Sequence, residues 1–334
     1  MTASPSAAPP RSSIPWPALG FGGGSAFVGG VDEIGALELM HYAWSRGFRY
    51  FDTAPFYGHG LSEHRFGAAL RTYARDDFLL STKVGRMLRP DRAMPRHNDR
   101  LPFDIVFDYG YDAVMRSVED SLQRLGVARI DIAYVHDLSP RLHGEAFERR
   151  FRDAMDGGYR ALDQLRSEGV LRAIGAGMKD VDVLLRIVQA GDFDCLMLAG
   201  GYTLLEQASL THLLPYCLEH GVAVVLASPF NSGILAVGPV DGASYFYAPA
   251  EPAILERARR IEAVCARHGV PLGAAALQFP LTHPAIVSVV AGYRTKAEVD
   301  TNLRWREWRV PVALWDELRA EALVAGDTPM PARE

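Results

Sequence analysis

Eight times along this chain a short apolar run is followed by a segment with helical periodicity, and that alternation limits the folds open to it. The runs at 130–135, 195–199, 222–226 and 286–290 are almost unbroken in apolar residues, as expected of strands buried on both faces of a parallel sheet. The others read as Ala18-Leu19-Gly20-Phe21, Phe48 to Asp52, Phe78 to Val84 and Leu171 to Ala176. Short connections between helix and strand require right-handed crossovers. Eight such units in 334 residues predict an α/β chain closed into a (β/α)8 barrel. A doubly wound sheet is the alternative. It asks for a G-x-G-x-x-G turn after the first strand, and Gly20-Phe21-Gly22-Gly23-Gly24 lacks that register.

The helical segments fall near Asp32–Ser45, from Ser62, at Asp112–Leu125, Arg150–Glu168, Val181–Ala190, Ala208–His220, Ala253–His268 and Leu272–Leu281, from Thr295, and at Val312–Leu323. Residues 85–108 read as a long, irregular, polar loop, and a loop of that length is functional or disordered. Residues 1–15, rich in Pro, Ser and Ala, read as a flexible leader without the features of a signal peptide, and 16–334 as a single barrel domain.

Composition excludes several function classes. A net charge of −5 implies no basic face for nucleic acid. No apolar run approaches the roughly 18 residues of a membrane span. Cys195, Cys217 and Cys265 are odd in number and widely spaced, so neither a disulfide framework nor a metal site is expected. They predict core thiols in a reducing cytoplasm. His59 and His64 lack acidic or cysteine partners at ligand spacing and read as surface or loop histidines.

In a barrel, strand ends converge at one face. Asp52 ends the second strand, Tyr57 lies in the loop after it, Lys83 is near the end of the third and His136 ends the fourth. Singly, each has a structural explanation: a cap, a packed aromatic, a solvated lysine, a core histidine. Together at one end they read as a site. A tyrosine ionises near pH 10, and a neighbouring ammonium stabilises its phenolate. A carboxylate keeps that ammonium charged and aimed, and a histidine can donate to a carbonyl or hydroxyl oxygen. The set predicts proton transfer at oxygen, half of a carbonyl/alcohol redox step; the hydride must come from a cofactor.

These motifs resemble the aldo-keto reductase family. The resemblance runs through Gly47 to Gly58, Ser81-Thr82-Lys83-Val84-Gly85, Ser121 to Gly126 and Asp131 to Asp137, and covers the chain after the leader. It implies a barrel that binds NAD or NADP in extended form. It also implies Tyr57 as general acid/base, Lys83 as the group that lowers its pKa, Asp52 as the partner of Lys83, and His136 as the donor that orients substrate. Ser228-Pro229-Phe230 and Ser232-Gly233 resemble the family's pyrophosphate loop. Gly292-Tyr293-Arg294-Thr295 with Glu298 and Asn302 resembles its adenosine segment, and Gly22 and Gly23 join the cofactor-binding set. Glu298 stands where an arginine often meets the 2′-phosphate of NADP, which favours NAD, with NADP admitted through Arg294. The sequence departs from the family at the nicotinamide: Gly177-Met178-Lys179, Ala199 and Ala227 replace the usual Ser-Asn, Gln and Tyr.

Within the family, Ala176-Gly177-Met178, Gly201 to Gln207 and Ser228 to Leu235 look most like the aldose 1-dehydrogenase branch, which includes L-fucose and D-threo-aldose dehydrogenases. Its relatives include pyridoxal 4-dehydrogenase and L-galactose dehydrogenase. The implied reaction oxidises an aldose at C1 to the aldonolactone, with a small sugar as partner and the protein a monomer or weak homo-oligomer. Arg and Asp residues of the 85–108 segment offer hydrogen bonds to a sugar, and Phe103, Phe107, Tyr109 and Tyr111 either form apolar platforms or pack that loop onto the barrel. The same four residues could instead serve an NADPH-dependent aldehyde or carbonyl reductase, or a cofactor-sensing regulatory subunit. Trp305 and Trp308 are expected to cover the barrel wall.

Overall fold

The computed structural model describes residues 13–94 and 97–330. Eight parallel strands close a barrel: β1 Leu19–Gly22, β2 Tyr50–Asp52, β3 Leu79–Val84, β4 Ile132–His136, β5 Ala173–Met178, β6 Cys195–Ala199, β7 Ala223–Ala227 and β8 Ile286–Gly292. Their order around the barrel is their order in sequence, and β1 closes onto β8 through Leu19↔Val289 to Gly22↔Gly292. The expected (β/α)8 fold is the one formed.

Residues alternate in and out along each strand, and this divides the buried side chains into two sets. The outer set packs strands against helices; Phe21, Phe51, Phe66 and Tyr293 cluster there, with Phe21 and Tyr293 stacked at 4.9 Å. The inner set fills the barrel with Tyr50, Leu79, Ile132, Tyr134, Cys195, Met197, Val225 and Val290. Ile14 and Trp16 close its floor, the Trp16 ring meeting Tyr50 edge-on at 5.7 Å. Of the expected leader 1–15, residues 1–12 lie outside the described residues, and Ile14 is already buried.

Local chemistry sets the helix ends. Asp32 caps the helix Glu33–Ser45 by accepting from the Gly35 N–H at 2.7 Å, and Gly47 then turns the chain with φ +91°. The helix Tyr111–Leu125 ends on Gly126 at φ +65°. The segment expected as one helix over 150–168 runs as helix Phe147–Asp153, a π-turn Ala154–Gly158 and helix Tyr159–Ser167. The π-turn carries Gly158 against the Tyr109 carbonyl, where an added Cβ would lie 2.4 Å from that oxygen. The segment expected at Ala208–His220 is a 3-10 turn followed by helix Leu213–Glu219.

One expectation is overturned. Residues 85–108 are not irregular throughout: Arg86–Pro90 and Phe103–Phe107 form an antiparallel hairpin in the register Arg86↔Phe107 to Pro90↔Phe103, and residues 95 and 96 lie outside the described residues. The arginines masked a β-rich pair of runs, Arg-Met-Leu-Arg-Pro and Phe-Asp-Ile-Val-Phe. The hairpin is tied to the loop after β2 by the Leu101 N–H donating to the Gly58 carbonyl at 3.0 Å and by a short contact between His59 Nδ1 and the Phe103 carbonyl. His59, a loop histidine as expected, therefore holds the hairpin in place.

Candidate active site

Asp52, Lys83 and His136 stand at the carboxyl ends of the neighbouring strands β2, β3 and β4, and all three are buried. Lys83 Nζ donates to Asp52 Oδ2 at 2.8 Å, to Asp52 Oδ1 at 3.0 Å and to the Thr53 carbonyl at 2.9 Å. These three acceptors satisfy its ammonium and fix its direction. Nζ lies 4.8 Å from the centre of the Tyr57 ring. The His136 ring stands perpendicular to Tyr57, centroids 5.8 Å apart, and its Nδ1 is buried without a hydrogen-bond partner. The structure thus brings together the four side chains singled out from strand ends.

Their electrostatics differ in one respect from the expectation. Burial pushes the Tyr57 phenol up to about 12, against the charge and hydrogen bond of Lys83, which pull it down. Lys83 lowers the Tyr57 pKa as expected, but desolvation of the phenolate is the larger effect. Burial disfavours the Lys83 ammonium, but the Asp52 carboxylate and Tyr57 outweigh it, so Lys83 is held above its ordinary value and stays charged. Burial, reinforced by the cations Arg86 and Lys83, holds His136 well below 6.5, so its imidazole is neutral at physiological pH.

A layer beneath these residues was missed from sequence. Two residues before Asp52, Lys83 and His136 come Tyr50, Ser81 and Tyr134, which point into the barrel with them by strand alternation. Ser81 Oγ donates to Asp52 Oδ1 at 2.6 Å and lies 3.2 Å from the Tyr50 hydroxyl. The Tyr50 and Tyr134 hydroxyls are 3.4 Å apart, and Cys195 Sγ is 3.8 Å from that of Tyr134. A polar chain therefore runs down the barrel from Asp52. The period-two signal was present in the sequence and would have found it.

The hairpin aromatics divide. Tyr109 is buried and donates to the His136 carbonyl at 2.9 Å, with His143 Nε2 at 3.0 Å, so it props β4 rather than facing a ligand. Tyr111 contacts Gln164. Phe107 meets His143 edge-on at 5.0 Å, and Phe103 is half-buried.

The residues assigned to cofactor lie around the opposite half of the mouth. Gly22 and Gly292 pair at the ends of β1 and β8. Gly23 serves packing: an added Cβ would lie 2.4 Å from Ser62 Oγ and 2.6 Å from Phe66. After β7, Ser228, Ser232 and Gly233 take left-handed φ values of +58°, +64° and +107° around Pro229 and Phe230. Within that loop Asn231 is buried, accepts from Thr203 Oγ1 at 2.7 Å and leaves its Nδ2 unpartnered. Thr295 caps the helix Lys296–Glu307 by accepting from the Glu298 N–H at 3.1 Å. Glu298 accepts in turn from the Arg294 N–H at 2.7 Å and from its guanidinium at 3.0 Å. The carboxylate thus aims Arg294, a role the sequence reading, which set the two in opposition, did not foresee. Asn302 is buried on the same helix. Trp305 covers the wall, edge-on to Phe230 at 5.7 Å, and Trp308 is exposed.

Three of the departures at the nicotinamide position, Gly177, Ala199 and Ala227, are small, while Met178 and Lys179 are not. Ala199 and Ala227 pair in register at the ends of β6 and β7 and are only half-buried. A Cβ on Gly177 would make ordinary contacts at 3.4 Å. The absent side chain of Gly177 thus leaves room beside Lys83 for a flat ring. With the left-handed loop and the unpartnered Asn231 amide beyond, the residues present fit NAD(P).

Comparison with known proteins agrees. The sequence model described as the aldo/keto reductase family matches residues 18–320. The chain is 41% identical over 323 residues to a D-threo-aldose 1-dehydrogenase of Pseudomonas sp, covering 92% of this chain and 94% of that one. It is 38% identical over 333 residues to a pyridoxal 4-dehydrogenase of Microbacterium luteolum, covering 94% and 96%. Among solved structures, the holo form of an aldo-keto reductase from Bacillus halodurans superposes with a TM-score of 0.75 at 25% identity, covering 97% of this chain and 98% of that one.

Proposed function

The chain belongs to the aldo/keto reductase family and is an NAD(P)-dependent oxidoreductase, and from that premise we propose that it oxidises an aldose at C1 to the aldonolactone. The candidate substrates are of the L-fucose, L-galactose or D-threo-aldose type. The observation that carries this reading is the Asp52-anchored Lys83 ammonium beside Tyr57, with neutral His136 perpendicular to the same ring. Tyr57 accepts the proton of the anomeric hydroxyl as that oxygen becomes the lactone carbonyl. Lys83 stabilises the phenolate before transfer, and Asp52 keeps Lys83 charged and aimed. His136, neutral, donates to the substrate oxygen and holds it against Tyr57. Bound NAD(P)+ supplies the acceptor for the C1 hydride, which no side chain provides.

Pyridoxal is the second reading, supported by the 38% identical relative. Its aldehyde closes on the adjacent hydroxymethyl group into a cyclic hemiacetal, so it presents the same kind of carbon. Initial rates with NAD+ and NADP+ on L-fucose, L-galactose, a D-threo-aldose and pyridoxal, set against NADPH with aromatic aldehydes, test both. Aldose turnover above the rest is the expected result; turnover of aromatic aldehydes alone ends the reading. The three buried free cysteines support a cytoplasmic setting, and among the described residues no helix is long and apolar enough to cross a membrane.

A further inference from the structure

Beside the proton-transfer residues lies a second charged pair that the reaction as described does not use. Arg86 opens the hairpin immediately after Gly85 and is buried. Its Nη2 donates to Asp137 Oδ2 at 2.5 Å, while its Nε is buried with no partner. The guanidinium lies 4.2 Å above the Phe56 ring and 5.4 Å from that of Phe107. Phe56 is itself 38% exposed, with its ring centre 6.0 Å from that of His136 and 6.3 Å from that of Tyr57.

Asp137 follows His136 directly. Its backbone turns left-handed at φ +44°, a conformation aspartate tolerates better than most residues. The turn, held by its N–H donating to the Gly177 carbonyl at 3.0 Å, leaves Oδ2 3.5 Å from His136 Nε2. The Asp137 side chain is 37% exposed. A partly desolvated ion pair is weak evidence for stability, and a plain aldehyde has no hydroxyl to engage it. A sugar has a C–H face for an aromatic ring and hydroxyls for a carboxylate. Oxygens on adjacent carbons lie about 3 Å apart, near enough for the two to reach His136 Nε2 and Asp137 Oδ2, which are 3.5 Å apart.

We propose that Asp137, held by Arg86 beside the Phe56 ring, is the specificity-determining residue: its carboxylate accepts from the hydroxyl on the carbon next to the reacting hemiacetal carbon. The inference rests on the aldose reading and deepens it: the substrate class becomes cyclic hemiacetals with a free neighbouring hydroxyl. Pyridoxal and 2-deoxy sugars fall outside it.

The test is a substrate–variant cycle. Initial rates on an accepted aldose and on its 2-deoxy analogue are measured at saturating NAD+ or NADP+ for wild type, Asp137→Ala and Asp137→Asn, with thermal melting to confirm folding. Wild type is expected to prefer the 2-hydroxy sugar by about 10- to 100-fold in kcat/KM, the discrimination of a hydrogen bond to a charged group. In Asp137→Ala that preference collapses to within about 3-fold, the loss falling on the 2-hydroxy sugar. If that variant does not fold, Asp137→Asn, which keeps the shape, carries the test with a preference reduced about 10-fold or more. A preference that survives in the folded variants overturns the inference, as does a wild type that oxidises both sugars equally; the aldose reading survives either result. A wild type that oxidises no aldose removes the aldose reading and the inference with it.

Discussion

The two halves of the barrel mouth are built on opposite principles. Across β2, β3 and β4 the polar groups are crowded, and all but His136 Nδ1 and Arg86 Nε are held by partners: Lys83 has three acceptors, Asp52 is held by Lys83 and Ser81, and Tyr109 props β4 at His136. Across β5 to β8 and β1 the strand ends carry Gly177, Ala199, Ala227, Gly292 and Gly22. In the proposed reaction the crowded half places charge where an oxygen gains and loses a proton, and such groups act best when their directions are set beforehand. In the same proposal the open half has no such charge to place, because the hydride acceptor brings its own chemistry and needs space and a flat wall.

That contrast breaks most severely at Tyr57. Tyr57→Phe removes the only proton acceptor in the proposed reaction, and kcat/KM for oxidation is expected to fall by about 10²- to 10⁴-fold. The wild-type pH profile carries the same signature. The base acts only when deprotonated and burial sets its phenol near 12, so oxidation by the free enzyme rises with pH through the alkaline range. Aldehyde reduction, which uses the protonated phenol, stays level across neutral pH. An oxidation profile flat from pH 7 to 10 contradicts the assignment.

Lys83→Met attacks the crowded half from beneath. It leaves the Asp52 carboxylate buried without its cation, at a stability loss of about 3–5 kcal/mol, measurable by denaturant unfolding. The surviving activity has its alkaline limb displaced to higher pH, because the charge opposing the burial of Tyr57 is gone.

Ala227→Phe tests the open half. The family usually carries a tyrosine here, so an aromatic ring at the end of β7 is expected to give the nicotinamide a flat wall and tighten NAD(P) binding by about 2- to 10-fold, the worth of one ring pair. Cofactor titration by tryptophan fluorescence reads this directly, and the melting temperature without cofactor shifts little, since the position is only half-buried. An unchanged dissociation constant places the cofactor elsewhere.

Ser81→Ala gives the smallest loss. One hydrogen bond to Asp52 is lost, worth about 1 kcal/mol, so kcat is expected to drop about 5-fold. Asp52 remains paired with Lys83, so the alkaline limb moves less than in Lys83→Met. A loss as large as that of Lys83→Met would make the hydroxyl chain part of the proton path rather than a support.

Much of this was legible in the linear sequence because its signals are periodic and local. Apolar runs separated by helical stretches specify parallel strands and right-handed crossovers, and eight of them specify closure. Strand ends in a barrel share one face, so Asp52, Lys83 and His136 were placed together by counting alone, with Tyr57 one turn further on. Other features depended on the environment of a group rather than on its position. Whether Lys83 or burial dominates Tyr57 is decided by how much water the packed mouth excludes. The hairpin at 86–107 hid behind its arginines because Arg86 is turned inward onto Phe56 and Asp137, a placement that its hydrophilic character argued against. The opposed roles foreseen for Arg294 and Glu298 became a hydrogen-bonded pair because Glu298, in the first turn of the helix that Thr295 caps, reaches back to the residue just before the cap. The sequence by itself determined the barrel and which side chains gather at its mouth, since both follow from periodicity. Only the tertiary structure decided their protonation and partners, since desolvation and hydrogen bonding are set by neighbours far away in the chain.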